Sequence, residues 1–563
     1  MRTRNLLLGW LFLALTVPAQ AAETAFPFPE DLLRLMPADA EVCLVLRSLD
    51  DADSQLAQFV PDAEGGLASN LMAELMGGRE NLDGLIARDK PIVILGNLPD
   101  ATFTSEVIVK AIFPVVDPAQ VTSEDLLDMP DMITAMEGSY VSLTSGGAWP
   151  AGETVPPWLG ALPNRGLALR LNLVDIVAKY GPFIEMGLGT LSMSAAQAAA
   201  DTSGQVPTMS MEEAAALADL GRAVIQSLDF FTTSLDVEGQ RLSFVSDLGL
   251  LPGSPLAPGP QPDFKQARDA AGILPEDWGF ISVTALAQTN QMDLWFRYYQ
   301  ATMLKQAAAL DPEPAARMQA WFEKYVEAMN LYFQPTASAV RLEGDIMAYH
   351  SAMRTEDAAA GLDRFAYLLN HATDAGLGMT ATEEAVVEVE GVSVRSWDLA
   401  FDYEAMAEGM YPPQGTPSGP RPQMQQMNLI MSRIMPGVKM AAVGDYLLFT
   451  SGQDPAVLED MIKRAKKNKT RKQKPLDAVA KRLGPPAAQV TTGDLGTFMT
   501  WLVELLASFE EDDEVDFTWP AEEALNFTQY VTVTGDVYGF GFEMDTDDLR
   551  TLWEIAEDLE EED

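Results

Sequence analysis

Four methionines, Met424, Met427, Met431 and Met435, fall three or four residues apart, which is the spacing of one helical face. Met129, Met132 and Met136 repeat the first three positions. Thioether sulfur is a soft donor that suits Cu(I), so such a stripe could hold copper on an exported protein. No His or Cys stands nearby to complete a site. The same spacing also serves a core helix, where Met fills irregular gaps, or an apolar face that docks a partner. The acid run Glu510–Asp516, EEDDEVD, lacks the alternating spacing of a Ca²⁺ loop and reads as a solvated loop. A carboxylate-based hydrolase is the second chemistry open to the chain. It needs two acids at a defined separation in a cleft, and among 83 Asp and Glu nearby pairs arise by chance.

The chain holds two histidines, which closes off much enzymology. There is no H-E-x-x-H, no phosphate loop, no G-x-S-x-G elbow and no G-x-G-x-x-G; the GLGT at Gly187 has no strand leading into it. His350 alternates with Ile346, Ala348 and Ala352 on an apolar face, where a satisfied structural imidazole is expected, since a general base needs an oriented partner. His371 follows Asn370 at a predicted helix end and would complement the dipole there. No catalytic residue and no cofactor is assigned.

One stretch breaks the charge pattern. Lys463, Arg464, Lys466, Lys467, Lys469, Arg471, Lys472 and Lys474 put eight bases into twelve residues of a chain with net charge −46. Asp454-Pro455 predicts an N-cap and first helical residue, so a helix should run to about Lys467 with its basic end on the negative pole of the dipole. The remainder, before Pro475, is expected in an exposed inserted loop. Two readings stay open: a solvated loop that offsets the chain's own acids, or a contact with an anionic envelope component or another protein. Over the rest of the surface the negative charge argues against nucleic acid and anionic lipid.

The elements that carry these residues follow from the termini inward. Arg2 and Arg4 precede a twelve-residue apolar core, Leu6–Val17, and Ala19-Gln20-Ala21 gives a small-x-small site. This predicts a signal peptide over 1–21 and a periplasmic or extracellular protein. No later run reaches the ~18 consecutive apolar residues of a membrane span. The single cysteine, Cys43, lies in the apolar run VCLVL and is expected buried in a strand.

The chain also repeats itself. MPADAEVCLVL from Met36 is similar to LPEDWGFISV from Leu274, and GSYVSLTSGG from Gly138 to GDYLLFTSGQ from Gly444. ALRLNLVDIVAKY from Ala168 matches AQVTTGDLGTFMTWL from Ala488 in pattern. The offsets, 238, 306 and 320 residues, keep one order and grow along the chain, as duplication followed by insertion would give. Leu251–Pro262 has five prolines in twelve residues and reads as a linker. Helical tracts are expected at Asp50–Leu75, Met211–Phe231, Thr289–Leu331 and Leu495–Phe509. Hairpins are expected about Gly239, Gly344 and Gly535, where alternation flanks a glycine. The fold class is therefore α+β: a first half over 30–252, a linker over 253–264, a second half over 265–555 and an acidic tail over 556–563. Each half is expected to hold antiparallel sheets with helices on one face. The insertion of the second half should include Tyr411–Gln423.

With MPADA at Met36, PVVDP at Pro114, the Gly-x-Tyr strand at Gly138, and LDVEGQRLSF leading to PGSPLA at Pro252, the chain resembles large exported bacterial proteins of unknown function. The resemblance covers most of residues 30–545. It implies an exported, duplicated α+β protein and carries no catalytic residues.

Protein recovered from an exported fraction is predicted to begin at about Ala22. N-terminal sequencing checks this, and an intact Met1 end there would overturn the signal assignment.

Overall fold

The computed structural model describes residues 26–58, 85–102, 106–118, 133–145, 162–200, 210–286, 294–302, 312–329, 334–343, 346–375, 378–402, 435–483, 487–507 and 524–561. Gly66, Trp149, Trp158, Leu331 and Arg433 stand singly between them. The expected signal peptide, the acid run Glu510–Asp516, Tyr411–Gln423 and the Gly344 turn lie outside the described residues, as does the helical tract beyond Gln58. The chain is mixed helix and strand with a large antiparallel sheet. Among the described residues no helix is long and apolar enough to cross a membrane.

Two compact units divide the chain. The first comprises Met1–Gly187, Val224–Ala257 and Gln529–Asp563; the second comprises Leu188–Ala223 and Pro258–Thr528. Neither is one uninterrupted half of the sequence.

In the first unit β1 (Val42–Leu46) lies between β2 (Ile92–Asn97) and β6 (Leu167–Asn172). Beyond β2 come β3 (Ile108–Pro114), β5 (Tyr140–Thr144) and β4 (Ile133–Glu137). Beyond β6 come β7 (Leu228–Glu238), β8 (Arg241–Leu250) and β19 (Val537–Asp545). Every pairing is antiparallel. The alternation in VCLVL sends Cys43 and Val45 to one face, onto a core with Leu32, Met36, Leu95, Ile112 and Tyr140. The other face packs Ile92, Phe113, Val141 and Leu143 around Leu49. Short helices α1 (Glu30–Leu33) and α2 (Leu49–Leu56) contribute Leu32 and Leu49 to these two cores. Helix α3 (Leu173–Ala200) follows β6 and passes at Leu188 into the second unit, to which α4 (Met211–Ile225) belongs as far as Ala223. The helix expected to reach Phe231 ends at Ile225, because Phe230 and Phe231 are needed in β7 opposite Asn172 and Leu171. The tail expected from 556 is instead the end of α11 (Thr546–Glu561), the last helix.

In the second unit β9 (Phe280–Thr284) lies between β10 (Thr336–Glu343) and β17 (Ala487–Asp494). Beyond β10 come β11 (Ile346–Arg354), β16 (Tyr446–Thr450), β15 (Gly437–Val443) and β14 (Val392–Phe401), which carries β12 (Met379–Glu383) and β13 (Val387–Val389). The unit's helices include α5 (Phe264–Ala271), α6 (Pro312–Met329), α7 (Ala358–Asn370), α8 (Pro455–Lys467), α9 (Lys474–Leu483) and α10 (Leu495–Ala507). β18 (Asn526–Thr534) starts beside β17, where the Leu495 N–H donates to the Leu525 carbonyl at 2.7 Å.

The expectation of helices on one face is corrected. Tyr446, Leu447 and Leu448 are buried at consecutive positions, which a strand shows only when both faces are covered. Leu447 packs with Leu362 and Ala366 of α7, while α8 also lies on β15 and β16 but brings none of its side chains into that core. The 68 residues by which the offsets 238 and 306 differ fall between β11 and β15, where α7 and β12–β14 stand.

The Gly-x-Tyr strands each begin after a tight turn. Gly138 and Gly444 hold φ of +56° and +58°, the left-handed region that costs a β-carbon about 1 kcal/mol. A β-carbon on Gly444 would meet nothing, whereas one on Gly138 would sit 2.0 Å from the Asp31 carboxylate. Gly444→Ala is predicted to cost about 1 kcal/mol and Gly138→Ala measurably more. Denaturant unfolding of both variants checks the order, and equal costs would overturn the seating of α1 on the β4–β5 turn.

Candidate functional site

The basic run begins on a helix that ends at Lys467 and continues through a connector without regular structure, as the sequence led us to expect. It occupies the last turns of α8, a six-residue connector and the first residue of α9. α8 starts as its sequence dictates: Asp454 accepts from the Ala456 N–H at 2.9 Å and Pro455 takes the first turn. It buries Val457, Leu458, Met461, Ile462 and Ala465, so its bases fall on the opposite side. Asn468 ends it in the left-handed conformation at φ 48°, with the Lys469 N–H returning to the Arg464 carbonyl at 3.0 Å. α9 buries Leu476, Ala480 and Leu483.

The connector is packed. Gln473 is buried, accepting from Trp278 Nε1 at 3.0 Å and donating to the Ala271 carbonyl at 3.0 Å. The Arg471 N–H donates to the Gly272 carbonyl at 2.8 Å. Only glycine fits at 272, since a β-carbon there would lie 2.4 Å from Thr470.

These contacts divide the eight bases. Arg464 and Arg471 share the Asp460 carboxylate at 3.0 and 2.5 Å, and Arg471 Nε lies 3.1 Å from Glu276. Lys463 pairs with Glu459 and stands 3.4 Å from Glu390, whose carbonyl accepts from Lys466 at 2.5 Å. Lys467, Lys469, Lys472 and Lys474 are exposed, and among the described residues none of their four side chains makes an ion pair or hydrogen bond. The charge offered to solvent is thus four lysines within eight residues, on a helix–turn–helix base held from remote parts of the chain.

The remaining chemical candidates sit on buried cross-strand rows that sequence reading missed. In the first unit Lys110 of β3, Cys43 of β1, Arg170 of β6, Thr232 of β7 and Asp247 of β8 share one row with Leu95 of β2. All are buried. Lys110 Nζ donates to the Trp149 carbonyl at 3.1 Å, and burial lowers its pKa. Arg170 donates to Thr232 Oγ1 at 3.1 Å with its guanidinium 4.0 Å from the Phe230 ring centroid. Burial pushes the Cys43 thiol up, so it stays protonated and inert.

In the second unit the row places His350 of β11 opposite Thr450 of β16. Thr450 Oγ1 and His350 Nδ1 are 2.8 Å apart, and His350 Nε2 faces Glu343 Oε1 at 3.7 Å. The order hydroxyl, imidazole, carboxylate is that of a nucleophile relay, but the site is sealed. Thr450 and His350 are 1% and 0% exposed. The Thr450 oxygen already accepts the Gly452 N–H at 3.0 Å. A β-carbon on Gly452 would lie within 3 Å of both Glu343 and His350, which leaves no space for a substrate. Glu343 Oε2 accepts the N–H groups of Gln453 and Asp454 at 2.8 and 3.1 Å, so the network anchors the start of α8. His350 is only half satisfied: Nδ1 meets Thr450, whereas Nε2 and the facing Glu343 Oε1 make no hydrogen bond among the described residues, and both neighbours come from pairing that sequence does not display. His371 caps α7 and stacks on Tyr367 at 4.2 Å.

The methionine stripes do not survive as helical faces where they can be seen. Met136 lies in strand β4, and Met435 packs against the core around Trp397; Met129, Met132, Met424, Met427 and Met431 lie outside the described residues. Among the described residues no group of three or more His, Cys, Asp or Glu could hold a metal ion. No family model, curated protein or solved structure matches this chain.

Burial, then the Arg341 charge, lowers the His350 pKa to about 4, against 6.5 for a free imidazole. Between those values the unfolded chain binds a proton that the folded chain does not. Stability is therefore predicted to fall as pH drops from 6.5 toward 4, by about 3 kcal/mol for this group, and to be unaffected by it above 6.5. Unfolding of wild type and His350→Gln across pH checks this, and an unchanging difference between the two would overturn it.

Proposed function

We propose that this chain is an exported, non-catalytic binding protein of the cell envelope, built from two copies of one α+β repeat, and that the free lysines of the α8–α9 connector meet an anionic component there. The signal-peptide pattern supports export. The sealed Thr450–His350–Glu343 network and the inert Cys43 favour binding over catalysis.

Strand order supports the repeat. The series β15-β16-β11-β10-β9-β17 follows the series β4-β5-β3-β2-β1-β6. Val42 and Phe280 start the central strands at the offset of 238 read from sequence, and Tyr140 and Tyr446 open matching strands at 306. Leu171 opposite Val42 and Gly493 opposite Phe280 give 322, two residues from the sequence match and on the same face. Further support comes from β8 and β19, whose hairpin glycines, Gly239 and Gly535, are 296 residues apart. In their pairing Val245 faces Gly541, also 296 residues on, which is the register two equal strands take about a local two-fold.

The observation that carries the binding role is the set of four unpaired lysines in a chain with 83 acids. A protein of net charge −46 is nonetheless predicted to be retained on phosphocellulose at low salt and released as salt rises. The variant with Lys467, Lys469, Lys472 and Lys474 all replaced by Gln should flow through with unchanged unfolding behaviour. Retention of that variant, or passage of the wild type, would overturn the proposal.

A further inference from the structure

We infer that the partner this lysine surface fits is the anionic face of a lipid bilayer, met by the α8–α9 connector with the rest of the chain held away from it. The inference rests on the anionic-contact role proposed above and names the partner for it.

The division of the bases by type carries the argument. Both arginines of the run are consumed internally, Arg464 on Asp460 and Arg471 on Asp460 and Glu276. Guanidinium is the group that recognises a single phosphate or carboxylate with a two-pronged fork. The groups left free are ammonium point charges on flexible stems, which supply attraction without direction. They are strung along a helix end, a turn and a helix start, from Lys467 to Lys474, with the exposed Thr470 between them and the one guanidinium of the segment, Arg471, held by Asp460 and Glu276. Such a set suits a surface carrying many mobile negative charges better than one small anion or one folded acidic protein.

The support beneath the lysines is fixed before any partner arrives. The buried faces of α8 and α9, the Gln473 bonds and the Arg471 latch hold the turn, so contact orders only the lysine stems. The chain's overall charge does not forbid the contact. At physiological ionic strength screening acts over about 8 Å, so charges close to the bilayer decide the sign and the acidic remainder is screened. That remainder is repelled and sets the orientation, with the connector down. Each lysine near an anionic leaflet raises partition about fivefold, so four give several hundredfold.

Co-sedimentation of the whole mature chain with two kinds of vesicle tests this: pure phosphatidylcholine, and phosphatidylcholine with about a third phosphatidylglycerol. Binding is expected to the second alone. It should weaken about fivefold in Lys469→Gln or Lys472→Gln, weaken several hundredfold in the quadruple Gln variant, and vanish in high salt. Equal binding to both vesicles, or full binding by the quadruple variant, would overturn the inference. Retention on phosphocellulose without vesicle binding would overturn the bilayer while leaving the anionic contact standing, its partner then an acidic polymer or protein. Passage through phosphocellulose as well would remove both.

Discussion

Each unit depends on a central strand with both backbone edges paired. β1 is held by β2 and β6, and β9 by β10 and β17. A strand so placed has no free N–H or C=O to exchange with water, and slipping its register by one residue would reverse every side chain. Cys43 and Val45 are buried on the same face because that register allows nothing else. All the polar chemistry of the interior inherits its position from these pairings.

That inheritance explains why the buried ionisable groups are structural. Placing Lys110, Arg170 or His350 inside a sheet costs desolvation, and the fold offsets it with single well-made contacts: the Trp149 carbonyl, the Thr232 hydroxyl with the Phe230 ring, and the Thr450 hydroxyl. The network about His350 also reaches outward, since Glu343 satisfies the backbone that leads into α8. The helix that displays the lysines is thus tied at its start to the strands of the second unit.

At the other end of that helix a second set of contacts separates structure from display. Asp460 takes two guanidinium groups, and Gly272 lets the connector approach α5 closely enough for backbone bonding. Acids placed under part of a basic run neutralise that part and leave the rest unopposed. This is how a chain dominated by carboxylates keeps four adjacent cations free, and the proposed binding role follows from that local imbalance rather than from composition.

What the sequence determined by itself is what short-range chemistry encodes. Positive-φ turns demand glycine, so Gly239 and Gly535 marked their hairpins correctly. Asp454-Pro455 marked the start of α8, the apolar run VCLVL marked β1, and period-two alternation marked β7 and β8. The mixed α and β class followed from those signals. Tertiary structure alone decided the rest. Phe230 and Phe231 read equally as helix or strand until β6 claimed them, because a short apolar run carries no period of its own. Met136 kept helical spacing with its neighbours yet paired in β4. Burial of both faces of β16 depends on α7, coded some eighty residues away. The candidate site divided in the same manner. The eight bases were visible as a run, but which four are free was set by Glu276, Gly272 and Glu390, whose distance along the chain hides them from any local reading.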